Sequence, residues 1–325
     1  MTTTALSDTT GTTGSAASTG PADSRAVADS AAESGGRKRT RTQDARTEAG
    51  PPHRSASTRP TELADGQTFA RAVHAEWIKV ASLRSTWITS LIAVAITVLF
   101  STAISIAYAS IPEAADSAAD AVIAGNQFGQ IVVAVLGALI ITGEYSSGQI
   151  RSSLAAVPHR WRLLVAKAIV VGALSFAIGA VSTLLTWAVS TPFMDGHGGS
   201  LTDPEYLGFV WGTGLSFTGI ALMSLGLGFL LRSTAGAITL AITLLFVVDI
   251  PLSAMSIKWD WAVSLQGLEP LQTAMAVYDP FHHIVSWGTA GSIYFLQQWQ
   301  AALVFGAWAL VPLALGWVVF TRRDA

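Results

Sequence analysis

Residues 143–167 read GEYSSGQIRSSLAAVPHRWRLLVAK, and a long apolar run flanks this stretch on each side. Ser146 is followed three positions later by Gln149, a spacing that fits a capping box at the start of a helix. Pro158 disfavours helical geometry at the residue before it and so predicts where this helix ends. The stretch therefore predicts a short helix between two membrane spans.

This predicted helix has one apolar face and several positive charges. The apolar face repeats at i, i+4 and i+7, at Ile150, Leu154 and Val157. Four basic residues follow the cap: Arg151, Arg160, Arg162 and Lys167. Because basic residues concentrate in cytoplasmic loops, we expect an amphipathic helix on the cytoplasmic face of a membrane.

The bulk composition places the chain among integral membrane proteins. It has 325 residues, of which 51% are hydrophobic and 12% are charged, whereas a soluble domain carries about 25% charged residues. The formal net charge of −2 does not discriminate between classes of protein. The absence of cysteine excludes disulfides, zinc–thiolate sites and thiol nucleophiles.

The amino-terminal 1–66 segment differs from the rest of the chain. It consists mostly of Thr, Ser, Ala, Gly and Pro and has no aromatic residue. Such a segment cannot bury enough apolar area to fold, so a disordered cytoplasmic tail is predicted. Its basic cluster, 37–41, is either solvated or in contact with anionic lipid headgroups. No apolar run follows Met1, so a cleaved signal peptide is not expected.

The transmembrane domain is predicted to occupy 67–325 and to begin with a helix at the membrane surface. Phe69, Val73, Trp77 and Val80 fall on one helical stripe of residues 67–85. Polar and charged residues, Glu76 among them, take the remaining surface. This pattern predicts an amphipathic interfacial helix with Trp77 in the headgroup layer.

Six apolar runs are each long enough to cross a bilayer, which takes roughly 20 residues. They lie at about 86–109, 122–143, 163–190, 207–231, 235–256 and 300–320. If the amino terminus is cytoplasmic, ten basic residues fall inside and only Lys258 falls outside; the ten are Arg71, Lys79, Arg84, Arg151, Arg160, Arg162, Lys167, Arg232, Arg322 and Arg323. This asymmetry predicts six spans with both termini in the cytoplasm.

Helix packing and the last outer loop give two further expectations. Small residues recur every four positions, at Gly208, Gly212 and Ser216 and again at Ser175, Gly179 and Thr183, which favours close helix packing within one subunit. The aromatic loop 257–299 suits the outer headgroup layer. Segments 262–278 and 282–296 within it are expected to be short helices that dip into the outer leaflet before the last span.

The search for catalytic motifs finds none. The chain has no Gly-Lys dipeptide and therefore no P-loop, no Gly-x-Ser-x-Gly elbow and no His-Glu-x-x-His. Asp279, His282 and His283 make a poor chelate, because adjacent histidines diverge, and an exposed polar turn is expected there instead. The chain is therefore not expected to be an enzyme, to hold a cofactor or metal, or to bind nucleic acid.

Asp249 is the one ionisable residue predicted inside a span, in the outer half of the fifth. Intramembrane acids are costly and are functional candidates. Pro251 nearby frees a backbone carbonyl and favours a local break in the helix. Two interpretations stay open: Asp249 is a polar point on a substrate path that attracts a cation, or the span ends early and places it at the interface.

Several segments together resemble the ABC-2 type transporter permeases. They are the loop 143–160 with the following Ala166-Lys167, the entry to the first span at 75–79 and 83–87, the turn at 230–237 and the ending at 322–325. The resemblance covers about 72–325. It implies that the loop docks onto a separate ATPase through a set of positions, namely Glu144, Tyr145, Gly148, Ile150, Arg151, Pro158 and Arg160.

The resemblance implies an ATP-driven exporter in the plasma membrane, with ATP used by the partner ATPase subunit. Six spans are half of what such a transporter needs, so a second copy or a paralogue is expected to pair with this chain. Glu144 is expected to cap the short helix, or to pair with Arg151 or a neighbouring subunit. An ion-gradient-driven carrier, an intramembrane enzyme and a non-transporting scaffold or sensor for an ATPase remain the alternatives.

Overall fold

The computed structural model describes residues 68–156, 160–279 and 296–323, where the regular elements are helices. In chain order the α-helices are Phe69–Ser82 (α1), Arg84–Ala109 (α2), Asn126–Ser147 (α3), Gln149–Ala156 (α4), Arg160–Ser190 (α5), Pro204–Leu231 (α6), Thr234–Ile242 (α7), Asp249–Ser256 (α8), Asp260–Gln266 (α9), Pro270–Tyr278 (α10) and Gln298–Arg323 (α11). A π-helical turn, Thr243–Val247, joins α7 to α8. The predicted all-α fold is confirmed.

Six helical stretches in these ranges are long and apolar enough to cross a membrane. They are Arg84–Ala109, Asp120–Ser147, Arg160–Phe193, Pro204–Leu231, Thr234–Ser256 and Gln298–Arg322. They confirm the six predicted spans. The second continues to Ser147 instead of ending at residue 143, which carries the helix into the loop that the sequence assigned to the next element.

The amino-terminal helix α1 is capped by Thr68, whose hydroxyl accepts a hydrogen bond from the Arg71 backbone N–H at 3.4 Å. Val80 is buried, whereas Trp77 is 43% exposed. The prediction for Glu76 is wrong. It was placed on the polar surface, but it is buried because a lysine of α5 lies opposite it.

The first span turns its small residues toward the bundle and its large residues outward. The buried positions of α2 are Thr86, Ser90, Ala93, Thr97, Ser101 and Ser105, and the exposed ones include Ile88, Leu91, Ile92 and Leu99. In lipid, burying leucine against another helix gains little, so close contact between small side chains is what draws the spans together.

Helix α6 packs against α3, α5, α10 and α11 and forms the centre of the bundle. A Cβ placed on Gly179 of α5 would lie 2.7 Å from the Thr213 carbonyl oxygen of α6. Buried polar contacts join α3 to α6: Asn126 donates to Thr213 Oγ1 at 2.8 Å. The small-residue stripe of α5 thus lies at a contact within one subunit.

The two glycines of the α6 stripe differ in their surroundings. A Cβ on Gly212 would lie 2.6 Å from the Tyr278 Cα atom, whereas one on Gly208 would meet nothing within 4 Å. Gly212 therefore lets the end of α10 approach the α6 backbone. Asp279, expected in an exposed turn, is buried, because it follows α10 directly at this contact. His282 and His283 lie outside the described residues.

We expect Gly212→Ala to lower the stability of the bundle by about 1–3 kcal/mol, because the added methyl must push α10 away from α6. The measurement is the thermal unfolding midpoint of the purified protein in detergent. Gly208→Ala is the control in the same helix, and it should leave the midpoint unchanged or raise it, since alanine is the better helix former. Equal midpoints for the two variants would contradict this packing.

Candidate functional site

The turn between α3 and α4 is made by a single glycine. Gly148 has a φ of +73°, in the left-handed region that glycine adopts at no steric cost. The prediction of Ser146 as an N-cap is wrong, because α3 continues past it. Ser146 and Ser147 instead donate back to the Gly143 carbonyl oxygen, at 3.0 and 2.7 Å.

The short helix α4 follows this turn with the predicted division into two faces. Ile150 is buried in the hydrophobic core, and Leu154 packs against that core. Arg151 is exposed on the other face. Val157 and Pro158, which the sequence placed at the end of the helix, lie outside the described residues.

A buried lysine sits beneath this turn. Lys167 of α5 is 1% exposed. Its Nζ lies 2.6 Å from Glu76 Oε2 of α1 and 2.8 Å from Glu144 Oε1 of α3. One ammonium group therefore ties together three helices that are far apart in the sequence.

A second lysine extends this cluster to α4. Lys79 Nζ lies 2.6 Å from Glu76 Oε1 and 3.5 Å from Glu144 Oε1. It also donates to Ser153 Oγ of α4 at 2.8 Å. We call Glu76, Lys79, Glu144, Ser153 and Lys167 the charge cluster. It links α1, α3, α4 and α5.

The charge cluster is electrically balanced, with two carboxylates and two ammonium groups. Burial alone would raise the pKa of Glu76, but Lys167 and Lys79 outweigh burial and hold that pKa below its ordinary value. The carboxylate therefore stays charged at neutral pH. An unpaired charge at the depth of Glu76, Glu144 or Lys167 would cost several kcal/mol, so these three depend on their partners.

Glu144 does not cap α4 or pair with Arg151, as the sequence suggested. It lies inside α3, where Lys167 takes up one of its oxygens. The other oxygen, Oε2, is buried without a hydrogen-bond partner. A cavity of about 390 Å³ opens beside it, and Lys79, Gly143, Gln149 and Lys167 help to line that cavity.

Two further contacts gather the neighbouring helix ends around the same turn. The guanidinium of Arg232, at the end of α6, lies 5.3 Å from the centre of the Tyr145 ring. Arg160, at the start of α5, donates to the carbonyl oxygens of Phe320 and Thr321 at 3.2 and 3.0 Å. The last helix is thereby fastened to the start of α5.

The described site residues of the predicted loop therefore lie at the same end of the bundle. The sequence analysis, however, missed most of the charge cluster. It assigned Glu76 to the surface and counted Lys167 only as a loop charge. A signal was present, because Lys167 stands within the apolar run 163–173, where an ionisable residue is costly without a partner. Asp249 contacts a different set of residues, Ser253, Gln266 and Gln272.

Comparison with known proteins identifies a family for this chain. A family model described as ABC-2 family transporter protein matches residues 71–325. The match begins within α1 and continues to the last residue of the chain. No curated protein matches the sequence.

We expect Lys167→Met to destabilise the protein by about 3–5 kcal/mol, because it leaves two buried carboxylates without their shared cation. The thermal unfolding midpoint in detergent measures this change. Arg151→Met is the control, since its side chain is exposed. Adding Glu76→Gln and Glu144→Gln to Lys167→Met should recover part of the loss. A single Lys167→Met variant as stable as the control would show that the cluster does not hold these helices together.

Proposed function

Because this chain belongs to the ABC-2 transporter family, we propose that it is the permease subunit of an ATP-driven exporter. In this proposal the segment 144–160 receives the motion of a separate ATPase subunit. The chain itself is a multi-pass membrane component of a transporter, as its family and its six apolar helices require. It comprises a tail, 1–66, and a permease domain, 67–325.

The observation that carries the proposal is the set of contacts that holds α4 against the rest of the bundle. This helix presents Arg151 outward, while Ile150 anchors it to the core. It is tied to α1 by the hydrogen bond between Lys79 and Ser153 and to α3 by the single residue Gly148. A protein that pushes on the exposed face therefore moves an element that is coupled to two other helices.

The charge cluster would transmit a displacement of α4 to the other helices. Displacing α4 pulls on Lys79, which shares Glu76 with the buried Lys167. Separating these charges at low dielectric is costly, so α1, α3 and α5 are expected to move with α4 as one body. Arg160 extends the connection to the end of α11.

The movement driven by ATP is proposed from the architecture of the family. Two copies of this chain, or this chain and a paralogue, would supply twelve spans, and two ATPase subunits would grip their α4 helices. Closure of the ATPase pair on ATP would tilt the spans and open the path to the other side. Export from the cell is the direction we propose, with the α4 side in the cytoplasm of a plasma-membrane protein.

The rival functions make different demands. An ion-driven carrier needs ionisable groups along a path through the bilayer, whereas the charge cluster gathers its four charges at one end of the spans. A scaffold or sensor would bind the same ATPase without moving a substrate. ATP hydrolysis by the reconstituted complex, measured together with uptake into inverted vesicles, separates an exporter from a scaffold.

We expect a photo-crosslinking amino acid at Arg151 of the full-length chain to capture an ATPase in the native membrane. Mass spectrometry of the product should identify a protein with a Walker A motif. The same crosslinker at Lys258, an exposed residue between α8 and α9, is the control and should not capture it. Capture of the ATPase from both positions, or from neither, would refute docking at α4.

We expect the α4 side to face the cytoplasm. The chain has no cysteine, so single substitutions give clean labelling sites. In intact cells a membrane-impermeant maleimide should label Lys258→Cys but not Arg151→Cys, and permeabilised cells should show labelling of both. Labelling of Arg151→Cys in intact cells would place α4 outside and end the coupling proposal.

A further inference from the structure

A second acidic site lies beyond the π-helical turn of the fifth span and combines the half-buried Asp249 with the buried Glu269. Asp249, the first residue of α8, accepts three hydrogen bonds from neutral donors. Its Oδ1 atom accepts from Gln266 Nε2 and Gln272 Nε2, each at 3.2 Å, and its Oδ2 atom accepts from Ser253 Oγ at 3.2 Å.

Glu269 lies near Asp249, but its surroundings offer it no such hydrogen-bond donors. It is 5% exposed, and neither of its oxygens receives a hydrogen bond from a donor group. Gln266 and Gln272, three residues to either side of Glu269, both donate to Asp249 and so bring the two acids close together. Two carboxylates at one site repel each other, which favours a proton on one of them.

We propose that Asp249 and Glu269 form a binding site for one positive charge, which a proton fills at rest and a lipophilic primary ammonium ion fills in its place. The inference concerns binding alone and does not depend on coupling to an ATPase. When the amine binds, Glu269 loses its proton to water, and the ammonium group donates hydrogen bonds to both carboxylates. The net charge of the occupied site is the same in both states.

The electrostatics agree with a proton on Glu269. Burial, together with the nearby carboxylate of Asp249, raises the pKa of Glu269 to about 8. Of the described charged groups on the elements around it, Asp249 is the one that acts on it. The others nearby along the chain are the exposed Asp260 of α9, the buried Asp279 at the end of α10, and Lys258, which lies over the Trp259 ring.

The donor set favours an ammonium ion over a metal ion. Gln266 and Gln272 turn their N–H groups toward Asp249, so they offer hydrogen-bond donors where a metal ion would need oxygen ligands. No group of three or more His, Cys, Asp or Glu residues in the described ranges is placed to hold a metal. An ammonium group needs only acceptors, and the two carboxylates supply them.

An apolar groove is joined to the segment that carries Glu269. It has a volume of about 360 Å³, and its walls include Leu227, Leu244, Trp308 and Val311. Trp308 donates from its indole N–H to the carbonyl oxygen of Leu268, the residue before Glu269, at 2.8 Å. In the proposal this groove takes the alkyl chain of the ammonium ion.

The test follows the protonated carboxyl of Glu269 by infrared spectroscopy of the full-length protein in lipid nanodiscs. Its carbonyl band should disappear with a midpoint near pH 8. Hexylammonium at ten times its dissociation constant should lower that midpoint by about one pH unit, because it competes with the proton. Methylammonium should need a higher concentration for the same shift, and hexanol, sodium ions and magnesium ions should cause none.

Three variants define the assignment. Glu269→Gln should remove the titrating band, and Asp249→Asn should move the midpoint to lower pH because the neighbouring negative charge is gone. Asp260→Asn, which changes an exposed acid of α9, should leave both the band and the hexylammonium shift intact. A wild-type protein without the band, or a midpoint that hexylammonium does not move, would overturn the proposal.

Discussion

A single buried ammonium group holds the α4 end of the helix bundle together. Burying the Lys167 ammonium group without a partner would be costly. It can be buried because Glu76 and Glu144, from two other helices, pair with it. The constraint runs in both directions, since neither acid would be buried without the lysine. Helix α1, which would otherwise lie loosely on the membrane surface, is thereby fixed to the spans.

The rest of the bundle uses a different kind of contact. Small side chains of α2, α5 and α6 allow close backbone approach, and leucines and isoleucines on the outer surfaces face the region where lipid would lie. Such packing sums many weak contacts and places no charge at the helix interfaces. This division suits the coupling that we propose, in which the push arrives at the α4 end.

The sequence predicted the spans because length, apolar composition and basic charge are local properties. It misplaced Glu76 because its partner is remote: Lys167 lies 91 residues after Glu76. It gave Glu144 the wrong partner because Arg151 is nearer in the sequence than Lys167, which follows Glu144 by 23 residues. It misread Ser146 because the stop signal was the left-handed Gly148 and not a capping serine. The roles of Arg151, Tyr145 and Pro158 at an ATPase stay predictions, since an interface requires a partner surface that one chain does not specify.

The π-helical turn Thr243–Val247 fixes the direction in which the end of the fifth span points. A π turn accommodates one surplus residue relative to an α-helix, so the part of the span after it is rotated by about 100° relative to the part before it. Loss of one residue there would restore a regular helix of nearly the same length and hydrophobicity. It would also swing Asp249 away from Gln272, because α10 is held by its packing against α6 and α11. A span that is unchanged in hydropathy would then lose its acidic site.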